Sequence, residues 1–488
     1  MNRRTLLAAL AASAAMPSLA SEVTASLRPV PRPASRFGSP SARAEALVKA
    51  AGLGGVVSYA LVDIATGELI ESRFPTAPQP PASTAKAITA LYALDRLGPN
   101  HQFTTELRAT GPIENGKLLG DLILYGGGDP TLDSDALGAL AQTLKELGLE
   151  TVMGGFYYCD TALPRIERID LEQPDHVSYN PSISGLNLNF NRIHFEWEPA
   201  KDGFDVTMQA RARKYRPDIG ISRMEIIDEK GPVYTYSTRN GIDHWTVEKR
   251  ALGKGGARWL PVRAPGAYAA DAFQKIARSR SIFVSRPEYM AELPESTVIA
   301  STQSVPLATM MRDMLEFSTN LTAEVAGLAS SAQGARPPGT LWGSGRRMSA
   351  WAADAFGAQT MRFADHSGLG YGSRISAADM AQILAANHEG ALPSLLKEVK
   401  LATNDGPGLT KGRAVAKTGT LNFVSTLAGY IEGQDRPMAF AIFTADEPRR
   451  DAIPVSQRER PQGVRGWNNR SRRLQKDLIR LWGRSYTA

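Results

Sequence analysis

The pattern of apolar and polar positions first becomes regular as a strand pair, Gly55 to Asp63 and Glu68 to Ser72, with Gly67 placed at the turn. Pro80, Pro81 and Ala82 then halt the chain. From Ser83 to Leu97 the period changes, and Ile88, Leu91 and Leu94 fall on one face of a helix that Gly98 and Pro99 end. Between about Phe103 and Val284 the pattern becomes short strands and turns with two helices, Asp135 to Leu147 and Tyr268 to Ala277. Within that stretch, Asn189 to Ala264 is strand-rich, charged and helix-poor, which predicts a small nested domain. From about Thr297 helices resume, and the chain ends on strands at Ala414 to Thr418, Leu427 to Glu432 and Met438 to Phe443 and a terminal helix. The first and last thirds are therefore expected to form one α/β domain (21–102 and 290–488). An inserted domain (103–188 and 265–289) interrupts it and carries the nested β-rich domain (189–264).

With 488 residues the chain is ample for two or three domains. Hydrophobic residues at 43% and charged residues at 22% match a soluble globular protein and argue against wholesale disorder or a membrane-embedded body. A basic start at Arg3 and Arg4, an apolar run from Leu6 to Ala15, and small Ser18 and Ala20 predict an export signal over residues 1–20, cleaved before Ser21. That run is shorter than the about 20 residues needed to span a bilayer. Arg3 and Arg4 leave the general secretory and twin-arginine routes both open. The expected location is the periplasm, and residues 21–45, rich in Pro, Ser and Arg, read as a loose leader. Cys159 stands alone, so no intramolecular disulfide forms; beside Tyr157 and Tyr158 it reads as a core residue, not a nucleophile.

The net charge of +7 is spread along the chain, which suits an anionic polymer such as cell wall nearby and gives no reason to expect nucleic acid. In the basic C-terminal stretch, Leu474, Leu478 and Leu481 recur at helical spacing; a helix with that stripe on the core is favoured, leaving at most peripheral membrane contact.

A serine hydroxyl needs a base within hydrogen-bond reach to become a nucleophile. Residues three apart share a helix face, so Ser83 and Lys86 can meet. Lysine serves as that base only when neutral, and bringing its pKa from about 10.4 toward 7 takes roughly 4 to 5 kcal/mol. Two like charges about 4 Å apart at an effective dielectric near 20 repel by roughly 4 kcal/mol, so Lys417 beside Lys86 would be sufficient in magnitude. Taken singly these signals are weak: Ser394 also precedes a lysine, Lys397, by three, and Ser178 to Asn180 repeats the Ser318 to Asn320 pattern. Order separates them. Ser83 to Lys86, Ser318 to Asn320, then Lys417, Thr418 and Gly419 form the serial set of penicillin-binding proteins and β-lactamases.

Further stretches, Pro81 to Thr84, Gly126 to Thr131, Leu186 to Asn191, Ser367 to Leu369 and Ala416 to Leu421, carry a closer resemblance over nearly all of the mature chain. The chain resembles class C low-molecular-mass penicillin-binding proteins, the D-alanyl-D-alanine carboxypeptidase and endopeptidase family (peptidase family S13). The resemblance implies a serine β-lactamase/transpeptidase-like domain with an antiparallel sheet flanked by helices. It implies peptidoglycan peptides as substrate, acylation by β-lactam antibiotics, and no cofactor or metal. Residue by residue, it implies that Ser83 attacks the penultimate D-alanine carbonyl while Lys86 takes its proton, and that Ser318 and Asn320 relay a proton and orient the peptide. Lys417 and Thr418 would bind the terminal carboxylate, Gly419 would let a peptide strand lie close, and the Ser83 and Thr420 N–H groups would form the oxyanion hole. Asp160 resembles an acid that binds the amino end of the diamino-acid side chain, though a solvated turn acid is as good a reading.

The chain departs from the family in having His366 before Ser367 and Gly370, Tyr371 and only later Arg374 after Leu369, and in a short approach to Lys417. These departures bear on which peptide side chain is read. Gly126 to Gly128 fits a tight turn better than a phosphate cradle, the six histidines lack metal spacing, and no nucleophile elbow surrounds Ser83. Two rivals stand: a β-lactamase, disfavoured by the 235 residues between Ser83 and Ser318 and the lack of a matching deacylating acid, and a wall-binding protein without turnover.

Overall fold

The sheet that carries the site has six strands in the order Lys397–Glu398, Arg413–Leu421, Val424–Glu432, Met438–Ala445, Val56–Asp63, Leu69–Arg73. Every neighbouring pair is antiparallel, and the two ends of the chain meet where Val56 lies opposite Ala445. The computed structural model describes residues 39–229, 231–334, 337–401, 409, 412–433 and 436–486. The expected export signal, its expected cleavage site and most of the approach to Lys417 lie outside the described residues.

The central strands read as continuous apolar runs because both faces are covered. On one face Ala60, Val62, Ala439, Ala441 and Phe443 pack with the helices Ala85–Leu97, Asn320–Ala332 and Ala377–Ala386. On the other, Val57, Tyr59, Leu61 and Phe440 meet Leu474, Leu478 and Trp482 of the terminal helix Val464–Ser485. Tyr59 and Trp482 lie tilted with ring centres 5.5 Å apart, within the range that favours aromatic pairs. The predicted stripe Leu474, Leu478 and Leu481 is buried. Among the described residues no helix is long and apolar enough to cross a membrane.

Two readings of the sequence need correction. The stretch 21–45 does not stay loose to its end: Ser39 accepts a hydrogen bond from the Ala42 N–H, Pro40 takes the first helical position, and a helix runs Pro40–Ala51 until Gly52 at φ 55°. The Ser and Pro that suggested a leader are here helix-start signals. Residues 297–303, read as the resumption of helices, are instead a strand, Thr297–Gln303, paired with Thr104–Ala109. That pairing joins segments almost two hundred residues apart, which local pattern does not reveal.

The second sheet has the order Pro287–Tyr289, Phe156–Cys159, Leu122–Gly126, Thr104–Ala109, Thr297–Gln303. The helices Ser134–Glu146 and Pro265–Ser279 pack on it through Leu140, Leu144 and Phe273. Cys159 is fully buried there. Between Arg192 and Pro261 run two three-stranded sheets, one centred on Arg192–Ala200 and one on Ile242–Glu248. The insertion is tied to the end of the chain through Glu459, which meets His176 at 2.7 Å and Arg258 at 3.0 Å, and through Arg458 with Glu172. His176 and then Arg258 hold the Glu459 carboxyl down at about 2.

Candidate active site

The Pro80-Pro81 stop puts a single tight turn, Ala82–Thr84, ahead of the helix Ala85–Leu97. Ser83 therefore sits in that turn, just before the α-helix, with Ala82 at φ 46°. The hydroxyls of Thr84 and Thr426 both donate to the Pro81 carbonyl, at 2.6 and 2.7 Å, and pin the turn to the sheet. Two glycines permit this contact. A Cβ on Gly368, at φ 72°, would lie 1.9 Å from the Ala82 oxygen, and one on Gly419 would lie 2.1 Å from Thr426 Oγ1 and 2.9 Å from the Ser83 nitrogen. Gly419 thus makes room for the turn that carries Ser83, a role beyond the peptide clearance that the resemblance implied.

Three residues after Ser83, at the second position of the helix, Lys86 is fully buried, and its Nζ donates to Ser83 Oγ (3.0 Å), Asn320 Oδ1 (2.7 Å) and the Ser367 carbonyl (2.9 Å). Burial first, and Lys417 second, lower its pKa to about 7. The lysine is tuned mainly by desolvation; like-charge repulsion adds to it. Asn320 opens the helix Asn320–Ala332, and its Nδ2 donates to the Tyr179 carbonyl at 2.8 Å, which turns Oδ1 toward Lys86. Ser318 ends the helix Leu307–Phe317 in the left-handed region, φ 59°, a conformation that costs about 1–3 kcal/mol in a residue other than glycine. There its Oγ accepts from Lys417 Nζ at 3.0 Å. Lys417, itself buried on the strand Arg413–Leu421, is lowered to about 8 by burial and by Lys397.

Ser83, Lys86, Ser318, Asn320 and Lys417 are thus joined by three contacts, Lys86 to Ser83, Lys86 to Asn320 and Lys417 to Ser318. Ser83, Ser318, Asn320 and Thr420 line one cleft of about 390 Å³, with Leu369, Tyr179 and Arg450 on its walls. Thr418 is exposed on the same strand. Asp160 is not among the residues lining this cleft; it is buried at 3% exposure with its carboxylate engaged by Arg165 at 3.1 Å, which rules out the solvated turn acid. The competing pattern at Ser178 to Asn180 supplies only the Tyr179 carbonyl, and in the other, Lys397 is held by Glu316 at 2.6 Å.

Of the departures from the family pattern, His366 does not face the cleft. It is fully buried, held at about 3 and neutral, with Nε2 2.7 Å from Ser344 Oγ. Gly327 leaves room for its ring. Arg374 and Tyr371 both bind Glu447, at 2.9 and 2.5 Å.

One pair of residues was not anticipated. Glu324, four after Asn320 on the same helix, accepts from the N–H groups of His366 (2.9 Å) and Ser367 (2.8 Å). Asp365 accepts from Gly368, Gly370 and Ser373. Both acids are fully buried; desolvation raises both, and repulsion from Asp365 adds to the rise at Glu324. An acid inside an otherwise apolar and small-residue helix was the available signal. Because the Ser367 carbonyl rests on Lys86, Glu324 is a positioning residue. Glu324→Gln turns an NH2 onto one of those N–H donors, and a loss of about 1–3 kcal/mol in urea unfolding is expected. Penicillin acylation, followed by stopped flow, is expected to slow about tenfold to a hundredfold as the carbonyl shifts. Unchanged acylation in a variant that has lost that stability would contradict the positioning role.

The sequence matches the D-Ala-D-Ala carboxypeptidase 3 (S13) family over residues 42–462. It is 28% identical over 425 residues to a D-alanyl-D-alanine carboxypeptidase of Actinomadura sp. (strain R39), covering 80% of this chain and 77% of the relative. It is 25% identical over 424 residues to the D-alanyl-D-alanine carboxypeptidase DacB of Haemophilus influenzae, covering 78% and 84%. The fold resembles the crystal structure of penicillin binding protein 4 (dacB) from Haemophilus influenzae, with TM-score 0.73, 20% identity, and 91% and 99% of the two chains covered. That likeness supports the mixed α/β, transpeptidase-like fold with an insertion. By its sequence over most of its length, the chain belongs to the D-Ala-D-Ala carboxypeptidase 3 (S13) family.

Proposed function

We propose that this chain is a serine-type D-Ala-D-Ala carboxypeptidase and D,D-endopeptidase that works through an acyl-enzyme on Ser83. The observation that carries this reading is the 3.0 Å contact from a fully buried Lys86, lowered to about 7, to Ser83 Oγ. Near neutral pH about half of such a lysine is free base, able to take the hydroxyl proton as Oγ attacks the carbonyl of the penultimate D-alanine. The Ser83 and Thr420 N–H groups face the developing oxyanion, a contribution of about 3–4 kcal/mol per donor. Lys417 and Thr418 bind the substrate's terminal carboxylate, and the Ser318 hydroxyl, held by Lys417, relays to the leaving amine the proton that Lys86 took from Ser83, so that Ser318 and Lys86 both end as they began. Expulsion of that amine leaves the acyl group on Ser83 Oγ, and water attacking the ester, with Lys86 again as base, returns free enzyme. Carboxypeptidase and endopeptidase action break the same kind of bond and differ only in what the leaving amine carries.

The partners proposed are peptidoglycan peptides and, as acylating inhibitors, β-lactams; one solved structure similar to this chain is a complex with a β-lactam. The proposed location is the periplasm, after removal of residues 1–20. For the domains, the pairing of Thr297–Gln303 supports moving the end of the insertion to about residue 303.

Pentapeptide muropeptides and cross-linked dimers, incubated separately and resolved by liquid chromatography with mass detection, test the reading. Free D-alanine from the first and monomers from the second are expected. Neither product would contradict peptidase function and favour a wall-binding protein; rapid penicillin hydrolysis without peptide cleavage would favour a β-lactamase.

A further inference from the structure

A second pocket, of about 160 Å³, lies on the other side of the Ser318 corner and shares Tyr179, Ser318 and Asn320 with the catalytic cleft. Phe190, Arg192 and Phe317 are among its other walls. The Arg192 guanidinium lies over two rings, 5.1 Å from the centre of Phe190 and 5.5 Å from that of Trp259. Its Nε is buried without a hydrogen-bond partner, and no carboxylate pairs with it among the described residues. Burial lowers its pKa, as expected of a cation held without a counter-ion.

The segment that builds this wall is held under strain. Asn189, Phe190 and Asn191 are three consecutive non-glycine residues at φ 51°, 58° and 51°. Side-chain hydrogen bonds fix them: Asn189 Nδ2 donates to Ser134 Oγ, and Asn191 Nδ2 to the Ser182 carbonyl and Asn187 Oδ1. Backbone held in sparsely populated regions by its surroundings clusters at ligand-binding sites. Here it holds Phe190 against Arg192 and so fixes the guanidinium fork. A planar fork without an internal acid, stacked on aromatic faces, is matched to a carboxylate, which it binds through two parallel N–H···O bonds.

We propose that this pocket is a second peptide subsite, in which Arg192 binds a carboxylate of the peptidoglycan peptide being cut. The inference rests on the peptidase reading above and extends it: the enzyme selects peptides by an acid away from the terminal carboxylate that Lys417 takes. No bond changes in this pocket, so Arg192 acts on affinity and registration of the substrate.

The test uses the mature protein and D-alanyl-D-alanine peptides bearing one extra carboxylate, on the acyl side or the leaving side of the scissile bond, each paired with its amidated counterpart. For one of the two positions the wild type is expected to favour the acid in kcat/KM by about tenfold or more. Arg192→Gln is expected to abolish that preference while the rate of Ser83 acylation by benzylpenicillin stays within about twofold, and Arg192→Lys to retain part of it. Absence of an acid preference in the wild type at both positions overturns the proposal without reference to any variant. So does an Arg192→Gln enzyme that loses acid and amide peptides equally. Failure of wild-type Ser83 to be acylated at all would sink the peptidase reading instead, so the two failures are distinguishable.

Discussion

Ser83→Ala is expected to lose peptidase activity by on the order of 10⁵- to 10⁶-fold and all covalent penicillin labelling, with an unchanged fold. The size follows from the chemistry: among the described residues no other hydroxyl is hydrogen-bonded to Lys86 Nζ, whose three partners are Ser83 Oγ, the Asn320 amide oxygen and the Ser367 carbonyl. Water at the vacated position would have to attack without a covalent intermediate. The fold should persist because the turn is held by Thr84 and Thr426 on the Pro81 carbonyl and by backbone contact with Gly368 and Gly419, none of which uses the Ser83 side chain. Circular dichroism and thermal melting check the fold; a penicillin adduct on the variant, mapped to Ser394 or elsewhere, would overturn the assignment.

Lys86→Gln is the second large effect. Removing the base is expected to lower acylation by about 10²- to 10⁴-fold. Glutamine can still donate to one of the two remaining acceptors, which moderates the cost to folding. The pH profile carries the sharper test. Lys86 acts as a base only when deprotonated and its pKa lies at about 7. In the wild type kcat/KM should therefore rise with pH below 7 and level off above it. Lys417 must stay protonated to bind the substrate carboxylate, and with its pKa at about 8 it should impose a fall on the alkaline side. The rising limb is expected to vanish in Lys86→Gln. Its persistence with the same midpoint would assign it to another group.

Much of the site was legible because each motif is local: a tight turn and a helix turn for Ser83 and Lys86, a helix corner for Ser318 and Asn320, one strand for Lys417 to Thr420. Their order along the chain selected them over the look-alikes at Ser178 and Ser394. The six-stranded sheet was legible in part, since its buried strands are long apolar runs. What the sequence concealed was set by distant contact. Thr297–Gln303 becomes a strand only because Thr104–Ala109 lies beside it. That Asp160 is buried and held by Arg165, and is not a solvated turn acid, likewise depends on its surroundings. His366 looked like a cleft residue through its position before Ser367, yet the backbone turns its ring inward to Ser344. Glu324 could have been found from its spacing after Asn320; Arg192 could not, because a lone arginine opening a strand carries no sign that its guanidinium lacks an acid.

The most direct measurement is mass spectrometry of the purified mature protein after incubation with benzylpenicillin, with the adduct mapped to a proteolytic peptide. A single penicilloyl group on the peptide containing Ser83, absent from Ser83→Ala, is the predicted result. An adduct on another residue, or intact penicillin with no adduct, would contradict the account of Ser83 as an acylated nucleophile activated by Lys86.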